Sequence, residues 1–501
     1  VTALDPGCRL DPTPDLRALD GGTILVGGAP LRILRLSRAG AEAARRWFAG
    51  QPIGDRTAHQ RLAARLRSGG LAHLRWPTPA GTRESGSATV VIPARDDANG
   101  LARTLDDLVG RVGAGAPAGR IVVVDDGSTT PIAERRPRVE LVRRDRPGGP
   151  GVARQVGLER VETPITVFVD AGVRLTDGAL EGLVAAFDDP EVVAAAPRVR
   201  SEDGPGLVAR YDRLRSPLDL GPVESLVGPG RMVPYVPTAC LAVRTAEARA
   251  VGGFDAALRY GEDVDLVWRL GATGLVSYRP DLVAVHRPRA TVGGLIAQRR
   301  SYGSAAAPLA RRHGHEVLTP CRVSPWSALV LALGLAGRPG AAAATAVGTG
   351  VALRPKIEPM PAAGVEAMLL TLRGHHHGGL SILAALLRSW WPVAGVALLV
   401  GGQPRRLAAR AVGVAALRRL VDGPRHPVDL AVDLGLGVVD DLAYGAGLWQ
   451  GAIAERSVAA LRPVMTSWPG GDRRPVIDRV RTALVRVGRR RPGQGAVATR
   501  R

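Results

Sequence analysis

The chain is short of cysteine, lysine, asparagine and aromatic side chains, and each shortage excludes something. Three cysteines (Cys8, Cys240 and Cys321) among 501 residues, far apart along the chain, rule out a disulfide scaffold and a cysteine-rich zinc module. Lys356 is the only lysine and Asn99 the only asparagine, while Phe, Tyr, Ile and Met are scarce. That pattern reads as a GC-rich genome, so much of the net charge of +21 is arginine standing where lysine would be. The charge attracts phosphates and anionic lipid. No basic run interleaved with aromatics accompanies it, so no nucleic-acid partner is expected. A charged n-region followed by an apolar h-region is missing from the start, which makes the reducing cytoplasm the default compartment. Uninterrupted apolar runs are missing as well. A spanning helix needs about 20 apolar residues. Arg338-Pro339 separates Trp326–Leu335 from Ala341–Leu353, and Leu380–Val400 contains Arg388 and Pro392. A central arginine costs roughly 2.5–3.5 kcal/mol on insertion.

What is present is a core-burying composition, 46% hydrophobic and 23% charged, long enough for about three domains. Residues 1–82 form an opening module. Thr23–Val26 and Leu31–Leu36 flank a Gly27-Gly28-Ala29-Pro30 turn, a hairpin pattern. Ser37 caps a helical run with Ala41, Ala44 and Trp47 on one face. A second helix over Thr57–Arg67 stops at Gly69-Gly70, before a short strand at Leu71–Arg75. Hairpin, two helices and strand make a winged-helix pattern, similar to peptide-chaperone modules of ribosomal-peptide maturation; the plainer reading is a module that only packs on its neighbour. Pro77–Ser87 is a linker.

From Ala88 strands alternate with helices: Thr89–Ile92, Leu101–Val109, Ile121–Val124, Val139–Val142, Gly151–Arg160 and Ile165–Val169. That rhythm predicts a parallel sheet covered on both faces, with ligands beyond the carboxyl ends of its strands. Residues 320–465 are rich in Ala, Gly, Leu and Val and read as helical, either membrane-apposed or re-entrant, or a soluble helical cap. Within them, Val428–Gly451 sets Asp429, Asp433, Asp440 and Asp441 among Leu and Val, an amphipathic helix. His375-His376-His377 reads as a surface loop, with adventitious metal binding the sharper alternative. The arginine-rich tail, 470–501, reads as disordered and able to meet anionic headgroups.

Three strands run into carboxylates. Val90-Val91-Ile92-Pro93 leads to Ala94-Arg95-Asp96-Asp97, Val122-Val123-Val124 to Asp125-Asp126-Gly127-Ser128, and Val167-Phe168-Val169 to Asp170-Ala171-Gly172. A fourth acidic segment, Gly261-Glu262-Asp263-Val264-Asp265-Leu266, opens a helix, and Val283-Ala284-Val285 ends in His286. One aspartate after a strand is commonly a helix cap. Four such sites in this order are not explained by capping.

These motifs, with Ala153-Arg154-Gln155-Val156-Gly157 and Val251-Gly252-Gly253-Phe254-Asp255, resemble glycosyltransferase family 2 over residues 88–305. The resemblance implies the GT-A nucleotide-sugar-binding α/β fold with a mixed sheet. The opening module, Gln298-Arg299-Arg300-Ser301-Tyr302-Gly303 and the apolar C-terminal region resemble, within that family, the mycofactocin branch of actinobacteria. That implies a UDP-sugar donor, UDP-glucose, a premycofactocin-type acceptor, and attachment at the cytoplasmic side of the membrane. The rival acceptor is a polyprenyl phosphate or cell-wall glycan. A rival of another class is a winged-helix nucleic-acid regulator, which would show steeply salt-dependent DNA affinity. A third is a catalytically dead sugar-nucleotide scaffold.

By the same resemblance Asp125 and Asp126 hold the nucleoside and Pro93 and Asp97 line its pocket. Arg95 stands where an aromatic commonly stacks on the base; a planar guanidinium can stack too. Asp170 is the first acid of an Asp-x-Asp metal motif whose third position is here Gly172. A Mg²⁺ or Mn²⁺ would then rest on diphosphate oxygens, Asp170 and His286, with Arg154 sharing the neutralisation. Asp263 is the expected general base, kept ionised by the helix dipole, with Glu262 orienting it or the acceptor. Base-assisted in-line attack predicts inversion. Asp265 and Arg269 are expected to form an i,i+4 pair, and Thr238 and Cys240 to border the acceptor pocket. Gln298 to Tyr302 loosely resembles the Gln-x-x-Arg-Trp signature, with Ser301 and Tyr302 replacing Arg and Trp.

Overall fold

The computed structural model describes residues 4–77, 86–113, 115–358 and 360–466. The expected basic tail and most of the Pro77–Ser87 linker lie outside the described residues. In the opening module come β1 (Arg9–Pro12), β2 (Arg17–Leu19), β3 (Ile24–Gly27), β4 (Arg32–Arg35), α1 (Arg38–Phe48), α2 (Thr57–Ser68) and β5 (Ala72–Arg75). β2, β3 and β4 make an antiparallel sheet, while β1 pairs with β5. Ser37 starts α1 by accepting from the Gly40 N–H at 3.1 Å. Leu10, Leu25, Ala44, Trp47 and Leu66 close the module's own core. The module is also docked: buried Arg67 pairs with Asp189 and, at 2.9 Å, with Glu191. Ile24 and Val26 pack on Ile357, Met360 and Ala367 of the C-terminal region.

The central domain contains β6 (Ala88–Ala94), α3 (Ala98–Leu108), β7 (Ala118–Asp125), β8 (Val139–Arg143), α4 (Pro150–Arg160), β9 (Ile165–Val169), β10 (Val173–Leu175) and α5 (Ala179–Ala185). It continues through β11 (Val192–Ser201), α6 (Leu207–Arg215), β12 (Ser225–Leu226), β13 (Cys240–Arg244), α7 (Thr245–Ala250), α8 (Glu262–Leu270) and β14 (Leu275–His286). Nine strands form one sheet in the order β10-β14-β11-β13-β9-β6-β7-β8, with β12 on β14. The parallel expectation holds for β9, β6, β7 and β8. Beyond β9 the sheet is mixed, because β13 runs antiparallel to both β9 and β11. Alternation along each strand feeds two cores. Val90, Ile92, Ile121 and Val123 pack under α3 and α5, whereas Val91, Val122 and Val124 pack under α4 and α8. Full burial of each such side chain is worth about 1.5–3 kcal/mol.

The remaining elements are α9 (Val292–Ser304), α10 (Ala306–His313), β15 (Arg322–Val323), α11 (Pro325–Leu335), α12 (Pro339–Leu353), α13 (Ala363–Arg388), α14 (Trp391–Val400), α15 (Gly402–Asp422), α16 (Pro427–Ala454) and β16 (Val464–Met465). The apolar stretch at Leu380–Val400 breaks at Ser389-Trp390, and α13 and α14 meet at 82°. Among the described residues no single helix is long and apolar enough to cross a membrane.

The triple histidine is not a loop but lies inside α13, carried by the leucines on either side. His375 bridges Ser327 at 3.0 Å and Thr349 at 2.8 Å, pinning three helices together. The segment read as an amphipathic helix is α16, and its acids face other parts of the chain. Asp433 and Asp440 are buried, paired with Arg215 at 2.7 Å and Arg299 at 2.7 Å, so the polar face of α16 grips the central domain.

Candidate active site

Three adjacent strand ends build the floor. Because β9, β6 and β7 are neighbours, Asp170, the Pro93–Asp97 segment and Asp125-Asp126 follow one another along one edge of the sheet. Their environments differ. Arg95 and Asp97 are exposed, and Pro93 is half-buried. Asp97 caps α3, accepting from Gly100 N–H at 2.9 Å, so the capping role set aside for the group as a whole applies to this member. Arg95 leans toward Asp96 at 3.3 Å.

Asp125 and Asp126 are turned inward. The fully buried Asp125 carboxylate accepts from the N–H groups of Ser128 (2.9 Å) and Ile132 (3.2 Å) and pairs with Arg143. These donors outweigh burial and lower its pKa. Asp126 accepts from Gly148 N–H at 2.9 Å and Gly149 N–H at 2.7 Å, and pairs with Arg144. Neither presents an unengaged carboxylate. They shape the loop that carries the chain into α4. Arg143 and Arg144 were not foreseen: they lie at the end of an unremarkable strand, and nothing in their spacing announces the pairing.

That loop leads to the centre of the site. Arg154, on α4, is buried, and its guanidinium donates to Asp170 at 2.6 Å and to Glu262 at 2.9 Å. The start of α4 lies so close to α8 that a Cβ on Gly151 would meet Glu262 Cγ at 2.9 Å. Asp170 N–H donates to Ala239 C=O at 3.0 Å, which brings in the segment before β13. Neighbouring Thr238 lowers the pKa of Asp263 through its backbone N–H. Asp170, Glu262 and Asp263 therefore share one neighbourhood, and the charge of Asp170 raises the pKa of Asp263.

Electrostatics in this cluster correct one expectation. Asp263 was expected to be held ionised by the helix dipole. Burial instead pushes its pKa up, against the pull of Arg154 and the backbone N–H groups of Val264 and Thr238. Glu262 is raised to about 7, by burial first and by the charge of Asp263 second. Asp265 behaves oppositely. It pairs with Arg269 at 2.6 Å, as expected, and also with His313 at 2.8 Å and Arg312 at 3.1 Å. These partners hold its carboxyl well below the usual range, and α10 is thereby clamped to α8. Cys240 does not border a pocket: it is fully buried in the core, opposite Val169.

At Gly172 an added Cβ meets nothing within 4 Å, so the missing acid leaves open space. His286, at the end of β14 and level with Val173, is half-buried; burial lowers its pKa, against the charge of Asp170. Among the described residues no group of three His, Cys, Asp or Glu side chains could hold a metal ion. Asp170 and His286 fit a cation that draws most of its ligands from phosphate oxygens and water, as Mg²⁺ does.

Comparison with known proteins gives the family. The model of Glycosyl transferase family 2 matches residues 89–245, the segment that contains the strand-end acids and Arg154. The chain belongs to glycosyltransferase family 2 and is a glycosyltransferase with the GT-A-type α/β architecture. Two relatives, each called "Pre-mycofactocin glycosyltransferase", come from Mycobacterium tuberculosis strains CDC 1551 / Oshkosh and ATCC 25618 / H37Rv. Each is 36% identical in an alignment of 481 positions that covers 92% of this chain and 99% of the relative. Among solved structures, a mannosyltransferase from Pyrobaculum calidifontis in complex with GDP-Man and Mn²⁺ covers 73% of this chain and 88% of its own, at 17% identity and a TM-score of 0.42.

Proposed function

We propose that this glycosyltransferase moves glucose from UDP-glucose to a hydroxyl of a premycofactocin-type acceptor, with inversion at the sugar carbon. The observation that carries the reading is the Arg154 bridge, which gathers Asp170 and Glu262 beside Asp263. Identity to the pre-mycofactocin glycosyltransferases over nearly the whole chain supports the acceptor.

The chemistry follows from the positions. The uridine lies over the β6 and β7 ends, with Pro93, Asp97 and the Arg95 guanidinium around the base. Asp125 and Asp126 act there through the loop they hold. The diphosphate lies toward Asp170, where Mg²⁺ or Mn²⁺ held by Asp170 and His286 would neutralise the leaving group. Asp263 takes the proton of the acceptor hydroxyl as its oxygen attacks the anomeric carbon. The bond from that carbon to the diphosphate oxygen breaks, UDP leaves, and an α-linked donor yields a β-linked product. Glu262 orients Asp263 or the acceptor, and Arg154 keeps the acids from repelling one another.

The membrane belongs to the same proposal. Leu399 is 87% exposed, Val400 70% and Val351 64%, an apolar surface unusual for a chain facing only water. We place α11, α12 and α14 against the cytoplasmic side of the bilayer. The same surface favours a second reading, in which a polyprenyl phosphate is the acceptor.

The test is purified protein with labelled UDP-glucose and each acceptor in turn. Transfer to premycofactocin is expected; transfer only to the lipid overturns the first choice. Flotation with anionic vesicles checks the membrane contact, and protein left in the dense fraction contradicts it.

A further inference from the structure

Arg154 gathers the acids of the site, but its own hydrogen bonds hold it incompletely. One terminal nitrogen donates to Asp170 and the other to Glu262. Among the described residues its buried Nε–H meets no acceptor. Two bonds at the outer end of the fork leave the guanidinium plane free to tilt about the line that joins them. The ring of Phe254 limits that tilt. Its centroid lies 5.8 Å from the guanidinium carbon, within the range at which an arginine is drawn to an aromatic face.

Phe254 is itself fixed. It is buried and stands edge-on to Phe168, the centroids 5.1 Å apart and the planes at 87°. Phe168 lies on β9, the strand that ends at Asp170. One aromatic pair therefore backs both Arg154 and the strand that presents its acid.

The backbone of Phe254 is held by the neighbour of Arg154. Phe254 N–H donates to Gln155 Oε1 at 2.9 Å, and Gln155 Nε2–H donates to Glu159 at 2.9 Å, which fixes the way the amide faces. Gly253 makes room for this. Its φ is +61°, and an added Cβ would lie 2.0 Å from Gln155 Oε1, so a side chain there would expel the glutamine. From the other side Arg269 donates to Val251 C=O at 2.6 Å and to Gly253 C=O at 2.7 Å. Arg269 lies two turns beyond Glu262 on α8. The 251–254 turn is thus bonded to α4 beside Arg154 and to the helix that Glu262 starts.

We infer that Gln155 and Phe254 are positioning residues for sugar transfer: through the turn at Gly253 they fix the plane in which Arg154 holds Asp170 and Glu262. The inference rests on the proposed reaction in taking those acids as the ones that serve it. A clamp that only stabilised the fold would leave turnover per folded molecule unchanged. A tilted fork instead moves the acids from their working positions, and a misplacement of about 1 Å can cost about 100-fold.

The test compares F254L, Q155A, and Q155E combined with E159Q. Each is assayed with UDP-glucose and whichever acceptor, premycofactocin or polyprenyl phosphate, the unaltered chain uses. F254L keeps an apolar side chain and removes the ring face. The double variant returns an oxygen to the Phe254 N–H and a donor to the position beside it. Turnover is referred to the folded fraction, read from a denaturant titration of each protein. The expected result is kcat lowered about tenfold in F254L and Q155A, donor KM within about threefold, and kcat restored to within about threefold of the parent in the double variant. Parental kcat in F254L and Q155A, or a loss that the double variant does not repair, overturns the inference. If F254L does not fold, Q155A and its repair carry the comparison. D263N assayed alongside separates the two levels. Transfer to neither acceptor, or transfer that survives in D263N, overturns the proposed reaction. Transfer lost in D263N but kept in F254L and Q155A overturns the positioning role alone.

Discussion

Arg154 donates to Asp170 at 2.6 Å from a guanidinium whose other arm reaches Glu262 at 2.9 Å. A residue on α4 thus joins the end of β9 to the start of α8, although Glu262 lies 108 residues beyond Arg154 in sequence. The pairing is buried, so its members depend on one another. Removing one partner of a buried ion pair leaves an uncompensated charge, at about 3–5 kcal/mol. R154A is expected to lose stability of that order, read as a lower denaturant midpoint. R154K keeps the charge but not the planar fork, and is expected to unfold nearer the parent while losing transfer.

Asp263 as general base gives a sharper expectation. General-base catalysis contributes about 10²–10⁴-fold, so D263N should lose transfer in that range. Calorimetric affinity for UDP should stay as it was, because the proposed nucleotide edge lies at β6 and β7. Unchanged transfer would contradict the assignment.

The pH profile tests the acid pair. Glu262 is raised to about 7, so the pair gains its second negative charge only as pH rises through that value. Activity should therefore climb along an acid limb with an apparent pKa of about 7, measured as kcat/KM against pH. In E262Q the upper step is gone and the limb should move to lower pH. The sign for stability is the reverse. A carboxyl raised by folding favours the native state at low pH, and that contribution is lost as pH rises through about 7. Asp265, held low by His313, Arg269 and Arg312, contributes stability above the ordinary carboxylate range that is lost in strong acid.

Gly172 supplies a gain-of-function test. Its φ is +87° and a Cβ there meets nothing within 4 Å. G172D would restore a carboxylate to the open position, at a backbone cost of roughly 1–2 kcal/mol. The expected outcome is half-maximal activity at lower Mn²⁺ concentration; an unchanged metal titration would contradict the assignment of Asp170 and His286.

Much of this was legible before any coordinates. The buried strands at Thr89–Ile92, Ile121–Val124 and Ile165–Val169 announced themselves because a covered parallel strand is a continuous apolar run. The acids after them marked the ligand edge. What escaped was set by distance in space. Arg143 and Arg144 turn Asp125 and Asp126 inward, and no local pattern records that. The dipole argument for Asp263 left out how much protein surrounds it, and burial proved the larger influence. The histidines of α13 looked like a polar loop because three polar residues in a row hide the leucine periodicity on either side. The crossing of α16 over α9 at Gly303 and Gly447 escaped as well, because it is a contact between segments more than a hundred residues apart.

The most direct test is a crystal structure of the full chain with Mn²⁺ and a non-hydrolysable UDP-glucose analogue. The uracil is expected at the β6–β7 edge, the diphosphate beside Asp170, and the anomeric carbon facing Asp263 across the space left for an acceptor. A sugar nucleotide bound with its anomeric carbon away from Asp263, or in a cavity that excludes Asp170, would contradict it.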